Sequence, residues 1–243
     1  MAVAVHCVVP ARYTSSRFPG KPLVPICGRP MILRTLDRAV AAGCFKSVVC
    51  ATDDIRIFKT VEEAGYTAVL TGPAVTGSDR VSEAAEKLGL DLVVNLQGDE
   101  PVADLQMLRD VAKALAEEPN SWVSVAAPLA DEDRDCLSVV KVEIDSTDHA
   151  VEFIRKLPPE PRKWFRHVGV YAYSAEARQE FASLPQSELE KERSLEQLRI
   201  LGKRPIRMVH CTSLSASVDL PSDVQKVESI LKQMEANQNG KSI

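Results

Sequence analysis

No apolar run in this 243-residue chain approaches the roughly 20 residues that cross a bilayer, so a membrane-spanning helix is not expected. The first residues, M-A-V-A-V-H-C-V-V-P, lack a basic n-region and a small-residue cleavage site. They read as a first strand rather than a signal peptide, which places the protein in the cytoplasm. A basic excess is missing too. A formal net charge of -4 argues against general nucleic-acid binding, whose phosphate contacts need a basic face. Any anion bound must therefore be met by a local cluster. The six cysteines, Cys7, Cys27, Cys44, Cys50, Cys136 and Cys211, include no C-x-x-C pair, which favours reduced, mostly buried thiols over a zinc site or a disulfide framework. Repeats and low-complexity segments are absent. What is present, 45% hydrophobic and 26% charged residues, is ordinary for a globular enzyme. The length suits one large domain, with or without a lobe, that buries about three-quarters of its surface.

Over the first 130 residues, short β-branched runs alternate with longer amphipathic stretches, the pattern of a parallel sheet wrapped by helices. Strands are expected at Val3–Val9, Ser47–Ala51, Ala68–Leu70, Leu92–Leu96 and Trp122–Ala127. Helices are expected at Met31–Ala42, Asp54–Ala64, Ser78–Leu88 and Leu105–Glu117, with Gly43, Gly65 and Gly89 as C-terminal stops. Beyond Pro128 the rhythm changes. Ser138–Ile144, Ala150–Ile154 and Val168–Tyr173 read as strands without crossover helices, hence as antiparallel pairs or a lobe over the sheet edge, while the three prolines of 156–163 demand a loop. Helices at Ala175–Ala182 and Glu188–Leu201, a strand at Ile206–His210 and a final helix at Ser222–Glu235 complete the reading. The expected division is a doubly wound half over 1–130, a lobe over 131–215 and a C-terminal loop and helix over 216–236.

In open parallel sheets ligands bind beyond the carboxyl ends of the strands, so the residues there matter most. After the first strand stands V-P-A-R-Y-T-S-S-R-F-P-G-K-P-L, where Arg12, Arg17 and Lys21 supply charge and Ser15 and Ser16 supply hydroxyls suited to a polyphosphate. It fits neither G-x-x-x-x-G-K-[ST] nor G-x-G-x-x-G, and by itself it reads equally well as a solvated loop. After the second strand, Thr52 or Asp53 of A-T-D-D can cap the next helix. Ser78 is the expected cap in T-G-S-D-R, and Arg80, a cation in a first helical turn, asks for an anion or a base contact. After the fourth strand comes N-L-Q-G-D-E-P. There Gly98 permits a sharp turn, Gln97 and Asp99 point at the cleft, and Asp99 is either a magnesium ligand or a turn aspartate.

Together with R-H-V-G-V-Y-A-Y, L-E-Q-L-R and V-D-L-P-S-D, these motifs resemble, in order and from about residue 3 to residue 230, the 3-deoxy-manno-octulosonate (Kdo) cytidylyltransferases, or CMP-Kdo synthetases. The resemblance implies a Rossmann-like, GT-A-like α/β nucleotidyltransferase fold with a mixed, mainly parallel sheet. It implies a homodimer that uses magnesium to join CTP and a 3-deoxy-2-ulosonic acid, releasing pyrophosphate. Carried over motif by motif, it assigns catalysis to Arg12, Lys21, Asp99 and Asp219, the two aspartates sharing the metal. The nucleotide side takes Pro10, Ala11, Arg12, Ser16, Arg17, Lys21, Thr52, Asp53, Ser78, Arg80 and Gln97. The sugar-acid side takes Gln97, Arg155, Arg166, His167, Tyr171, Glu196 and Gln197. Without the motif, His167 reads as a structural hydrogen-bonder and Glu196 and Gln197 as an exposed helix face.

One segment departs from the family pattern. Where the family carries an aromatic-Ser-Arg sequence, this chain has E-F-I-R-K-L-P-P, with Ile154 in place of the serine. That leaves the sugar acid open between Kdo, an amino-substituted Kdo and another nonulosonic, sialic-like acid. A silent nucleotide-binding regulator is the alternative of a different class, and the presence of Lys21, Asp99 and Asp219 weighs against it.

Overall fold

A computed structural model of the chain describes residues 4–15, 17–212 and 216–239. The first half contains β1 (Val5–Ala11), a small hairpin of β2 (Pro25–Ile26) and β3 (Arg29–Pro30), α1 (Met31–Ala42), β4 (Val48–Thr52), α2 (Ile55–Glu63), β5 (Thr67–Leu70), α3 (Gly77–Leu88), β6 (Leu92–Asn95), α4 (Leu105–Glu117) and β7 (Trp122–Pro128). The second half contains β8 (Lys141–Ile144), β9 (Ala150–Ile154), β10 (Trp164–Tyr173), α5 (Ala175–Ser183), α6 (Glu188–Arg193), β11 (Ile206–His210) and α7 (Asp223–Asn239).

Alternation along β1 shows why these residues form a two-faced strand. Cys7, Val9 and Ala11 pack against α1 and α4 in one cluster, while Val8 joins Val81 and Ala84 of α3 on the opposite face. Helices thus cover both sides, and each fully buried aliphatic side chain contributes roughly 1.5–3 kcal/mol. All six cysteines are free thiols, with Cys7, Cys50 and Cys211 buried.

The main sheet runs β11-β7-β10-β6-β1-β4-β5. Pairs β1–β4, β1–β6, β4–β5 and β11–β7 are parallel, and β10 is antiparallel to β6 and β7, so the sheet is mixed and mainly parallel as expected. The strand order reverses at β1, flanked by β4 and β6, and this reversal opens a crevice at the carboxyl ends of β1 and β6.

Of the two arrangements left open beyond Pro128, antiparallel pairs and a lobe over the sheet edge, the strands form antiparallel pairs, β8 with β9 and with β10, and β10 itself inserts between β6 and β7. Strand periodicity cannot reveal such an insertion, since pairing partners are chosen by long-range packing. The helix expected over Glu188–Leu201 is broken. Ser194 ends α6 with φ 52, a tight turn covers Glu196–Arg199, and the Arg199 guanidinium returns to Glu190 at 2.6 and 2.9 Å. That buried pair replaces helical continuity and turns Glu196 and Gln197 inward instead of leaving them on an exposed face.

Candidate active site

Two adjoining cavities occupy the crevice, one of about 340 Å³ and one of about 770 Å³, with Arg12, Gly77, Gln97 and Asp219 lining both. Gly98 makes the junction sterically feasible. A Cβ there would lie 2.7 Å from the Pro10 carbonyl oxygen, so the ends of β1 and β6 approach as closely as they do only because this residue is glycine. The tight approach, rather than a positive φ, is the reason for glycine at this place.

The smaller cavity is built by the loop after β1. Gly20, at φ 72, leads into the short turn Lys21–Leu23, whose φ is pre-set by Pro22 at its start. This aims Lys21 across the cleft. Its ammonium donates to Asp99 Oδ2 at 2.7 Å and to the Val218 carbonyl at 2.7 Å, and it stands 3.9 Å from Asp219 Oδ1. Arg17 pairs with the same Asp219 oxygen at 3.0 Å. The residues around Asp219 are fixed from two directions. Val218 N–H donates to the Asp99 carbonyl at 3.0 Å, and Asp223, opening α7, accepts from the N–H groups of Asp219 and Leu220. Helix α7 is itself anchored through Val227 and Leu231 against Ile26, Met31 and Val218. Arg12 is exposed and has no hydrogen bond or ion pair among the described residues. Ser15, whose hydroxyl the sequence offered to a polyphosphate, lines this cavity, and so does Thr14, which was not singled out from the sequence.

Arg80 reaches the smaller cavity from α3, and it is buried and already satisfied. It donates to Thr71 Oγ1 at 2.5 Å and to Asp53 Oδ2 at 2.6 Å. Asp53 therefore orients Arg80 and does not cap α2; Asp54 caps it, accepting from Arg56 N–H at 2.9 Å, while Thr52 accepts from Asp54 N–H. Ser78 is likewise not the cap of α3. Thr76 and Asp79 form a reciprocal capping box there, which frees Ser78 for the interior. Adjacent hydroxyl and carboxyl residues are interchangeable as caps by type, so only the backbone path could choose among them. Thr52, Asp53 and Ser78 line neither cavity. Ser16 lies outside the described residues.

The larger cavity takes its walls from the second half of the chain. Arg166 is held by Asp133 at 2.8 Å. His167 lies within β10, not ahead of it, where its Nε2 meets Ser124 Oγ at 2.8 Å, and burial pushes its pKa down to about 3. It is a neutral, buried hydrogen-bonder. Tyr171 donates to Gln197 Oε1 at 3.2 Å, and burial raises its phenol well above the usual range. Glu196 accepts from Ser78 Oγ at 3.2 Å, and burial raises its carboxyl despite the nearby Thr76 and Ser78 donors.

Glu100 is a member of this site that sequence reasoning passed over. Burial, and then the neighbouring Asp99, raise it to about 8, and its Oε2 is enclosed without a partner among the described residues. The Q-G-D-E-P motif contained it, but side-chain burial at the cavity wall was the missing signal. Glu196 Oε2 and Gln197 Nε2 are likewise enclosed and have no partner among the described residues. Since buried polar atoms are ordinarily bonded, these three fit a polar ligand.

Arg155 is the predicted sugar residue that the structure does not bring to the cavity. Its guanidinium donates to the carbonyls of Leu137, Ser138, Arg193 and Ser194, tying together two stretches of the wall. Ile154, standing where the family carries serine, is buried and lines neither cavity.

The cytidylyltransferase family model matches residues 6–206. A 3-deoxy-manno-octulosonate cytidylyltransferase of Anaeromyxobacter sp. (strain Fw109-5) is 42% identical over 237 residues, covering 93% of this chain and 96% of the relative. An 8-amino-3,8-dideoxy-manno-octulosonate cytidylyltransferase of Shewanella sp. (strain W3-18-1) is 39% identical, covering 92% and 97%. A solved CMP:2-keto-3-deoxy-manno-octonic acid synthetase complexed with CTP superposes with a TM-score of 0.90 at 33% identity, over 95% of this chain and 99% of that one.

Proposed function

The chain belongs to the family of 3-deoxy-manno-octulosonate cytidylyltransferases, and we propose that its two cavities divide the reaction between CTP and Kdo. The smaller takes the triphosphate and the larger the sugar acid, giving CMP-Kdo and pyrophosphate, an activated sugar for lipopolysaccharide assembly. The observation that carries this division is Lys21 held in the smaller cavity between Asp99 and Asp219, the second of which lines both cavities.

Arg12, Arg17 and Lys21 neutralise the triphosphate, and Arg80, oriented by Asp53 and Thr71, stands by the cytidine. Arg166, Tyr171, Glu196 and Gln197 orient the sugar acid so that its anomeric 2-hydroxyl faces the α-phosphorus from the side opposite the leaving pyrophosphate. Attack forms the new O–P bond as the bond to the bridging oxygen of pyrophosphate breaks, and the hydroxyl proton passes to solvent. His167, with its pKa near 3 and its Nε2 engaged by Ser124, orients groups instead of taking the hydroxyl proton.

Asp99 and Asp219 fit magnesium, because Mg²⁺ is bound by one or two carboxylates completed by substrate phosphates, and both carboxylates already face a cation. When bound, the ion lowers the pKa of a coordinated hydroxyl and offsets phosphate charge. The protein's contribution is positioning and electrostatic stabilisation.

A second reading, CMP transfer to 8-amino-Kdo, is favoured by the identity to the Shewanella protein. The experiment that tests both is pyrophosphate release with CTP, Mg²⁺ and a panel of Kdo, 8-amino-Kdo and nonulosonic acids. Release with Kdo is expected. Release with 8-amino-Kdo alone would transfer the function to that sugar, and no release would overturn the enzyme. The homodimer implied by the family is checked by light scattering, where a monomer mass would remove it. Among the described residues, no helix is long and apolar enough to cross a membrane.

A further inference from the structure

Asn95 ends β6, is fully buried and lines neither cavity. Its amide is engaged on both sides. Nδ2 donates to Ser78 Oγ at 3.3 Å, and Oδ1 accepts from Gln97 Nε2 at 3.1 Å. Ser78 Oγ in turn donates to Glu196 Oε1 at 3.2 Å. The chain Glu196–Ser78–Asn95–Gln97 therefore joins a wall of the larger cavity to the residue shared by both.

The direction of this chain follows from proton counting. A hydroxyl has a single proton, and Ser78 directs it at the Glu196 carboxyl oxygen while its own oxygen accepts from Asn95. Asn95 must then turn its NH₂ toward Ser78 and its carbonyl toward Gln97. Gln97, with one N–H of its amide engaged inward, turns Oε1 toward Gly77, which lines both cavities. That end is closely packed, since a Cβ on Gly77 would lie 3.2 Å from Gln97 Oε1.

We infer that Asn95 and Ser78 are positioning residues that fix the orientation of the Gln97 amide, so that it offers a hydrogen-bond acceptor to a substrate donor where the nucleotide and sugar cavities meet. The inference rests on the cytidylyltransferase reading of the cleft. It gives a buried residue in contact with neither substrate a share in assembling the site, and it links motifs 100 residues apart: N-L-Q-G-D-E-P and L-E-Q-L-R.

The test is a double-mutant cycle on the full-length protein, with kcat and KM measured for CTP and Kdo and thermal unfolding recorded alongside. Asn95→Leu keeps the volume and removes both hydrogen bonds, and Gln97→Met does the same at the cleft. Each is expected to lower kcat/KM by roughly tenfold, and the double variant by no more than either alone. Ser78→Ala paired with Gln97→Met repeats the cycle with a smaller change should Asn95→Leu fail to fold. Losses that multiply in the cycle measured, or unchanged kinetics in folded Asn95→Leu, would overturn the positioning role while leaving the enzyme reading intact. Absence of wild-type turnover would overturn the activity, and this inference with it.

Discussion

Lys21 and Lys141 are both shielded from solvent, yet they serve opposite ends. The Lys21 ammonium faces the carboxylates Asp99 and Asp219 across the cleft. Lys141, at 0% exposure, donates to the carbonyls of Cys136 and Arg155, and the cost of burying its charge lowers its pKa. Paired with formal charges at the crevice, a lysine becomes part of a site that a polyanion can enter. Paired with main-chain carbonyls, it holds a wall. Arg155 continues that wall by joining residues 137–138 to residues 193–194. The smaller cavity is thus a place of exchangeable ion pairs, and the larger one a shape maintained by buried polar groups.

The sharpest way to break this contrast is at the carboxylates. Asp99→Ala or Asp219→Ala is expected to lower kcat on the order of 10³-fold, the scale of removing a preorganised electrostatic group, while the melting temperature stays within a few degrees. Near-normal magnesium-dependent turnover in either variant would dissolve the shared site. Next in size is a reciprocal pair. Lys21→Met should weaken CTP binding by about tenfold in calorimetry with little change in stability. Lys141→Met should leave CTP affinity nearly unchanged and lower stability by about 2–4 kcal/mol, because two buried carbonyls lose their donor. If both variants lost stability and affinity in equal measure, the distinction between cleft and wall would not hold.

A pH titration sharpens the wall further. The folded-state pKa of His167, about 3, lies below its ordinary 6.5, so between those values the unfolded chain binds the extra proton. Stability contributed by the neutral histidine is complete above pH 6.5 and is lost as pH falls toward 3, at a limiting slope on the order of 1.4 kcal/mol per pH unit. Melting temperatures from pH 7 to pH 4.5 should fall less steeply in His167→Gln than in the parent, and parallel curves would place the acid sensitivity elsewhere. The smallest effect is expected at the junction. Gly77→Ala sets a methyl 3.2 Å from Gln97 Oε1 and should change KM only about two- to fivefold, and a larger loss would mean that the Gln97 amide cannot yield.

Much of this was legible from residue order. The run expected at Val3–Val9, the glycine stops and the helix periods marked the parallel half, and the cationic loop after β1 and Q-G-D-E-P marked the cleft, because those features are local. Arg155 was misplaced for an equally physical reason. An arginine that binds a carboxylate and one that binds four carbonyls are the same letter. Glu100, Asn95 and Lys141 gave no sign in the sequence, since their roles depend on burial and on partners distant along the chain.

Residue order by itself determined the chemistry on offer: cations after β1, carboxylates at 99 and 219, and an alternation that could close only as an α/β sheet. Tertiary structure decided which of those groups meet. It placed β10 between β6 and β7, turned Glu196 and Gln197 inward at Ser194 and brought Asp219 back to Lys21. A side chain's charge is carried by its residue type, but its partner, its solvent exposure and therefore its pKa are set by neighbours that the chain supplies only when folded.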